Sequence, residues 1–142
     1  PEGVPAVPRA LADAARSLLA AYVAASLQPP YDHPAVAAQA DPRKAERALT
    51  VLRERGWLLR INGLQHLHRD AAERLISGVR AALAAGQPVE VQWIKQAFGL
   101  TRKHAVPLLE WLDAIAVTRR VGDARVAGPR PELPVPLLGA AP

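Results

Sequence analysis

Apolar residues along this chain recur mostly every third or fourth position, a spacing typical of helices with one buried face. The first such segment covers residues 10–27 and ends at the Gln-Pro-Pro run that follows it. A short second helix is predicted at residues 33–39. The buried stripe of the first helix is predicted to consist of Ala15, Leu18, Leu19, Tyr22 and Val23.

A third helix has clear start and stop signals. Asp41 followed by Pro42 supplies an N-cap and a proline at the first helical position, and Gly56 ends the helix. Residues 57–61 and 64–67 flank the dipeptide Asn-Gly, which is favoured in two-residue hairpin turns, so we expect a β-hairpin directly after this helix. The inward positions of the helix are predicted to be Ala45, Ala48, Leu49 and Leu52.

The second half of the chain repeats this order. The pattern predicts an amphipathic helix at residues 70–85, a short edge strand at 89–91 and a short helix at 92–98. Thr101 is expected to cap a longer helix, and a hairpin turning at Gly122-Asp123 follows it. The buried face of that longer helix is predicted to consist of Ala105, Leu108, Leu109 and Leu112.

The two halves match at an offset of sixty residues, so that Ala45 corresponds to Ala105 and Arg60 to Arg120. Each half runs helix, short helix, helix, hairpin. This order predicts two tandem winged helices in a mainly α protein with small β-hairpins, an α+β fold class. The expected divisions are a linker at 1–8, a first winged helix at 9–69, a second at 70–127 and a Pro-rich disordered tail at 128–142.

The placement of positive charge, rather than its total, distinguishes the second copy from the first. Arg102 and Lys103 lie in the first turn of its long helix, and the hairpin turn places Arg120 opposite Arg125. Like charges that face each other across a sheet cost roughly 0.2–1 kcal/mol, whereas a polyanion lying over them would convert the repulsion into attraction. In the first copy the expected partner of Arg60 is the neutral Gln65. We therefore assign nucleic-acid recognition to the second copy and a spacer or docking role to the first.

The composition of the chain limits which partners and which cellular compartment are expected. The 142 residues carry 18 Lys and Arg against 13 Asp and Glu, a net charge of +5, which suits an acidic partner. There is no cysteine, so disulfides and thiolate metal sites are excluded and a cytoplasmic location is expected. No apolar run approaches the ~18 residues of a membrane span, so no membrane partner is expected. The chain contains no methionine, and we expect it to be a piece of a longer, monomeric protein.

The motif TRKHAVPLLEWLD at residues 101–113, followed by TRRVGDAR at 118–125, closely resembles the last winged helix of the bacterial selenocysteine-specific translation elongation factors, the SelB family. At His104 the family often has tyrosine. The upstream segments RGWLLRI and HLHRDA resemble the preceding winged helix of that family more loosely. Together the resemblance covers roughly residues 9–127.

The resemblance implies an RNA-binding module that recognises the mRNA stem-loop marking a UGA codon for selenocysteine. The full-length protein would be a GTPase that delivers selenocysteyl-tRNA to the ribosome. GTP and Mg²⁺ would belong to its N-terminal part, because this chain has no GxxxxGK[ST] loop and needs no cofactor of its own. The RNA-binding residues are expected to be Thr101, Arg102, Lys103, His104, Arg119, Arg120 and Arg125.

Other functions fit the sequence less well. A DNA-binding regulator with tandem winged helices is the alternative, but its third helix would present Val106, Pro107 and Glu110 to bases, which is a poor reading surface. His66 and His68 could pair at a metal, yet no third ligand is evident, so no metal site is predicted. No serine is accompanied by a histidine and a carboxylate. We therefore expect a binding module without catalytic residues rather than an enzyme.

Overall fold

The computed structural model describes residues 7–130, 132–133, 136–138 and 142, and the chain divides into two compact units. Unit 1 comprises Pro1–Asp70 together with Val135–Pro142, and unit 2 comprises Ala71–Pro134. Most of the predicted linker at 1–8 lies outside the described residues. In the described residues no helix is both long enough and apolar enough to cross a membrane.

Unit 1 has the winged-helix order. A 3₁₀ turn leads into three helices and an antiparallel hairpin, and the amphipathic faces of the first and third helices pack together over its core. Tyr22 and Leu18 are fully buried there, whereas Val23 is 52% exposed, so its place in the predicted stripe is wrong. The elements are α1 (Ala12–Ala25), α2 (Asp32–Ala37), α3 (Pro42–Glu54), β1 (Leu58–Asn62) and β2 (Gln65–His68).

The first hairpin turns one residue later than the sequence predicts. Asn62 lies opposite Gln65, so Gly63 and Leu64 are the central turn residues, and a bulge follows Arg60. The side chain of Asn62 explains the shift, because its carbonyl oxygen accepts a hydrogen bond from the amide of Leu64 at 2.8 Å and forms an Asx turn. As a result, Arg60 faces His66 and not Gln65.

Unit 2 repeats the order of unit 1. The predicted edge strand at 89–91 is reduced to a single bridge between Val89 and Arg125, and Val91 already belongs to a helix. The predicted buried face of the long helix is confirmed, since Ala105, Leu108, Leu109 and Leu112 are all buried. The elements are α4 (Arg69–Ala84), α5 (Val91–Phe98), α6 (Arg102–Ala114), β3 (Thr118–Val121) and β4 (Ala124–Ala127).

The sixty-residue repeat holds in the backbone. Helices α3 and α6 each have 13 residues and begin and end exactly sixty positions apart. Each is followed by a left-handed corner, at Gly56 with φ of 79° in unit 1 and at Ala116 with φ of 64° in unit 2. Glycine adopts this conformation freely, whereas an L side chain is strained in it. The second copy therefore keeps the corner without the residue that best suits it.

The tail predicted to be disordered from residue 128 lies partly outside the described residues. Where it is described, its backbone is hydrogen-bonded to the folded part of the same unit. The amides of Gly128 and Arg130 donate to Val117 and Ala116 in unit 2, each at 2.9 Å, and the amide of Leu138 donates to Arg55 in unit 1 at 2.8 Å. The described part of the tail is thus anchored at several points.

Candidate nucleic-acid interface

The N-terminus of α6 is an exposed cationic surface. Arg102 and Lys103 are exposed in its first turn, which contains no acidic residue. Thr101 occupies the predicted N-cap position with an extended backbone, but its hydroxyl makes no capping hydrogen bond. In α3, by contrast, the carboxylate of Asp41 accepts from the amide of Lys44 at 3.1 Å. The positive end of the α6 dipole is therefore not compensated by a side-chain acceptor, which favours an anionic ligand.

Two more cations extend from the adjacent strand β3. Arg119 and Arg120 are consecutive, so they project from opposite faces of the ribbon. Arg119 lies opposite Val126 on the outer face and has no ion pair within the described residues. The side chain of Arg120 is 61% exposed, with its Nε donating to the Gly122 carbonyl at 2.9 Å and its Nη2 4.0 Å from Asp123. Both guanidinium groups remain accessible to solvent.

Arg125 occupies a different environment from the one the sequence predicts. The register is as expected, with Arg120 opposite Arg125. However, Arg125 is only 6% exposed, and its Nη2 and Nε lie 3.1 and 3.3 Å from one carboxylate oxygen of Asp113. The argument from two unpaired arginines repelling each other is therefore wrong, because one of them is buried and neutralised inside the unit. Arg125 supports the wing instead of offering its charge to a ligand.

Asp113 joins the helix to both strands of the hairpin. Its second carboxylate oxygen accepts a hydrogen bond from the Thr118 hydroxyl at 2.7 Å, so one side chain holds β3 and β4. The amide of Arg125 also donates to the carbonyl of Val89 at 2.9 Å, which attaches the hairpin to the segment before α5. Sequence reasoning missed Asp113. The available signal was a carboxylate at the end of the long helix, followed by Thr118 and Arg125 on one face of the predicted ribbon.

His104 is partly buried beside this cationic surface. Burial, followed by the nearby charge of Lys103, lowers the pKa of its imidazole below the ordinary value. The ring is therefore neutral at pH 7, with a flat face suited to contact with a base rather than with a phosphate.

Side chains that could have formed other sites are used in packing. Trp111 is 5% exposed, and Trp93 packs edge-to-face against Phe98 with ring centroids 6.0 Å apart. His66 and His68 are buried, and no group of three potential metal ligands occurs among the residues that the structure describes.

Comparison with known proteins shows what this second unit resembles. Residues 81–127 match the family model described as the winged helix of elongation factor SelB. Unit 2 is thus similar to a SelB winged helix over most of its length. A curated relative, the selenocysteine-specific elongation factor of Desulfomicrobium baculatum, is 33% identical to the chain over 75 residues, which are 53% of the chain and 12% of that protein. The chain therefore spans a small part of this SelB relative.

Solved SelB structures share the fold of the chain. The mRNA-binding domain of SelB from E. coli, solved in complex with SECIS RNA, aligns with a TM-score of 0.66 at 16% identity, covering 82% of this chain and 98% of that one. A bacterial selenocysteine-specific elongation factor, EF-Sec, aligns with the same TM-score at 22% identity, covering 87% of this chain and 20% of that one. The predicted winged-helix fold with small hairpins is thereby confirmed.

Proposed function

We propose that this chain is the mRNA-binding module of a selenocysteine-specific elongation factor and that unit 2 binds the stem-loop of the selenocysteine-insertion element. The observation that carries the proposal is the exposed cationic surface of a SelB winged helix, formed by the first turn of α6 and strand β3. The side chains proposed to contact RNA are Arg102, Lys103, His104, Arg119 and Arg120, with Thr101 at the helix N-terminus.

The shape of this surface suits RNA better than DNA. The major groove of A-form RNA is too narrow to admit a helix, so proteins contact its backbone and its looped-out bases. A helix end bearing cations suits phosphates on a turned backbone, and the neutral His104 ring or an arginine plane suits a flipped base. Along α6, Val106 and Pro107 are half-buried and Glu110 is exposed, a combination that gives little to a DNA major groove.

The remaining roles concern the full-length protein. We propose that this chain binds and does not catalyse, and that GTP, Mg²⁺ and selenocysteyl-tRNA are bound by other parts of a cytoplasmic factor that works on the ribosome. The absence of a GxxxxGK[ST] sequence from these 142 residues agrees with that division. For unit 1 the sequence predicts a spacer or docking role.

A gel-shift comparison tests the proposal. The chain is mixed with a hairpin RNA carrying a bulge, with the same hairpin lacking the bulge, and with duplex DNA of equal length. We expect tight binding to the bulged hairpin and much weaker binding to the other two. Equal affinity for all three would mean nonspecific attraction between charges and would overturn the proposal.

A further inference from the structure

Unit 1 contains an open cleft that the proposed function does not use. It lies between α2, α3 and the first hairpin, and its volume of about 510 Å³ falls within the ~300–1,000 Å³ of small-ligand sites. Its lining combines cations with apolar and aromatic side chains. The lining residues that matter here are Tyr31, Arg43, Arg53, Arg60, Leu64 and His66.

A chain of polar contacts fixes one of these cations. The Tyr22 hydroxyl donates to Asp32 at 2.6 Å, and the other carboxylate oxygen of Asp32 lies 2.8 Å from Nδ1 of His66. Nε2 of His66 lies 3.4 Å from Nη1 of Arg53. Because a guanidinium can only donate, Nε2 accepts, and the imidazole proton sits on Nδ1 and donates to Asp32. His66 is 1% exposed, so this series of contacts holds Arg53 at the cleft from the interior of the unit.

Two further cations of the cleft have no hydrogen-bonding or ionic partner in the described part of the chain. Arg43 lies in the first turn of α3 and Arg60 lies on β1, and both are exposed. At the offset of sixty they correspond to Lys103 and Arg120, which belong to the proposed RNA surface of unit 2. The spacer role of unit 1 is predicted because only the second hairpin is expected to carry two unpaired, facing arginines. Arg125 is paired with Asp113, so this difference between the two units does not exist.

The cleft also has apolar groups at its rim. Tyr31 is 48% exposed and Leu64, at the hairpin turn, is 63% exposed, although both are large apolar side chains. An aromatic ring beside arginines is the arrangement by which proteins hold unstacked bases and the attached phosphates. Of the two carboxylates that line the cleft, Asp32 is bonded to Tyr22 and His66, which leaves Glu46 able to accept from a base amino group.

We propose that this cleft binds an unstacked nucleotide of single-stranded RNA. The base packs against Tyr31 and Leu64, and Arg43, Arg53 and Arg60 bind its phosphates. This is a second RNA site, separate from the stem-loop surface of unit 2, and it does not depend on the hairpin function. Because stacking on a ring accepts every base, the site is tolerant of sequence.

Photocrosslinking of the whole chain to oligouridine containing 4-thiouridine tests this site, with binding measured in parallel by fluorescence anisotropy. We expect crosslinks in peptides containing Tyr31 or Leu64. Tyr31→Ala should weaken binding roughly fivefold or more, whereas Tyr31→Phe should retain it because the ring remains. Arg43→Ala and Arg60→Ala should each lower the salt slope by about 0.7.

Arg47→Ala is the matched control, since Arg47 is exposed on the same helix but does not line the cleft. Loss of oligouridine binding in Arg47→Ala equal to that in Arg43→Ala would overturn the proposal, and so would equal competition by polyglutamate. Arg102→Ala should reduce stem-loop binding and leave the oligouridine crosslinks in place. If stem-loop binding alone failed to show these effects, the result would therefore count against the proposed function and not against the cleft.

Discussion

The guanidinium of Arg125 and the carboxylate of Asp113 form a buried contact of 3.1 Å between the end of α6 and the second strand of the wing. Arg125 has a side-chain exposure of 5%, and Asp113 of 25%. The pair therefore acts within the fold, and the cations available to RNA lie on the neighbouring strand and at the other end of the helix.

Asp113→Ala should lower the free energy of unfolding by about 3 kcal/mol, because it leaves a buried guanidinium without a counter-charge. Chemical denaturation followed by circular dichroism measures the loss. The double variant Asp113→Ala/Arg125→Met should be more stable than Asp113→Ala alone, since no charge then remains buried. A double variant less stable than the single one would show that the pair is not the source of the effect.

Arg120→Ala should weaken binding of the bulged hairpin several-fold and reduce the slope of log affinity against log salt by about one, because one phosphate contact is lost. Isothermal titration at several salt concentrations measures both quantities. Arg80→Ala, which removes an exposed cation from α4 in the same unit, is the control and should leave affinity and slope nearly unchanged. Equal effects of the two substitutions would show that the wing is not part of the RNA-binding site.

Ala116→Gly should stabilise the protein by about 0.5 kcal/mol. The φ of 64° at Ala116 costs an L residue roughly 1–2 kcal/mol, and glycine at this position would remove that cost. The extra flexibility of glycine in the unfolded chain offsets part of this stabilisation. Thermal unfolding measures the change. The reverse substitution at the matching corner, Gly56→Ala, should be destabilising, because a Cβ there would overlap the Pro136 carbonyl oxygen. Destabilisation by Ala116→Gly would contradict this account of the corner.

His104 should make stability depend on pH. Its pKa is lowered in the folded protein, so below pH of about 6.5 the unfolded chain binds the proton more readily. The free energy of unfolding should therefore fall as pH drops through this range and level off below the folded pKa. Urea denaturation at a series of pH values measures the slope, and His104→Gln should reduce it. Parallel curves for the two proteins would show that another group is responsible.

The sequence predicts the helices, the hairpins and the repeat because each depends on local periodicity or on a capping residue. Asp41 and Pro42 start α3 as expected, and the face of α6 is buried as expected. The environment of Arg125 could not be predicted, because strand pairing gives the residue opposite but not the carboxylate that an adjacent helix end brings near. The turn at Gly63 and Leu64 was missed for a similar reason, since the Asx bond of Asn62 competes with the usual Asn-Gly turn.

The clamp made by Asp113 separates two tasks along the last ribbon. Thr118 and Arg125 hold the ribbon to its helix, while Arg119 and Arg120, which follow Thr118 on β3, are exposed. Substitutions at the two exposed positions therefore leave the anchoring bonds intact. A wing built in this way can change its ligand through the exchange of a few surface side chains, without any change in the scaffold that presents them.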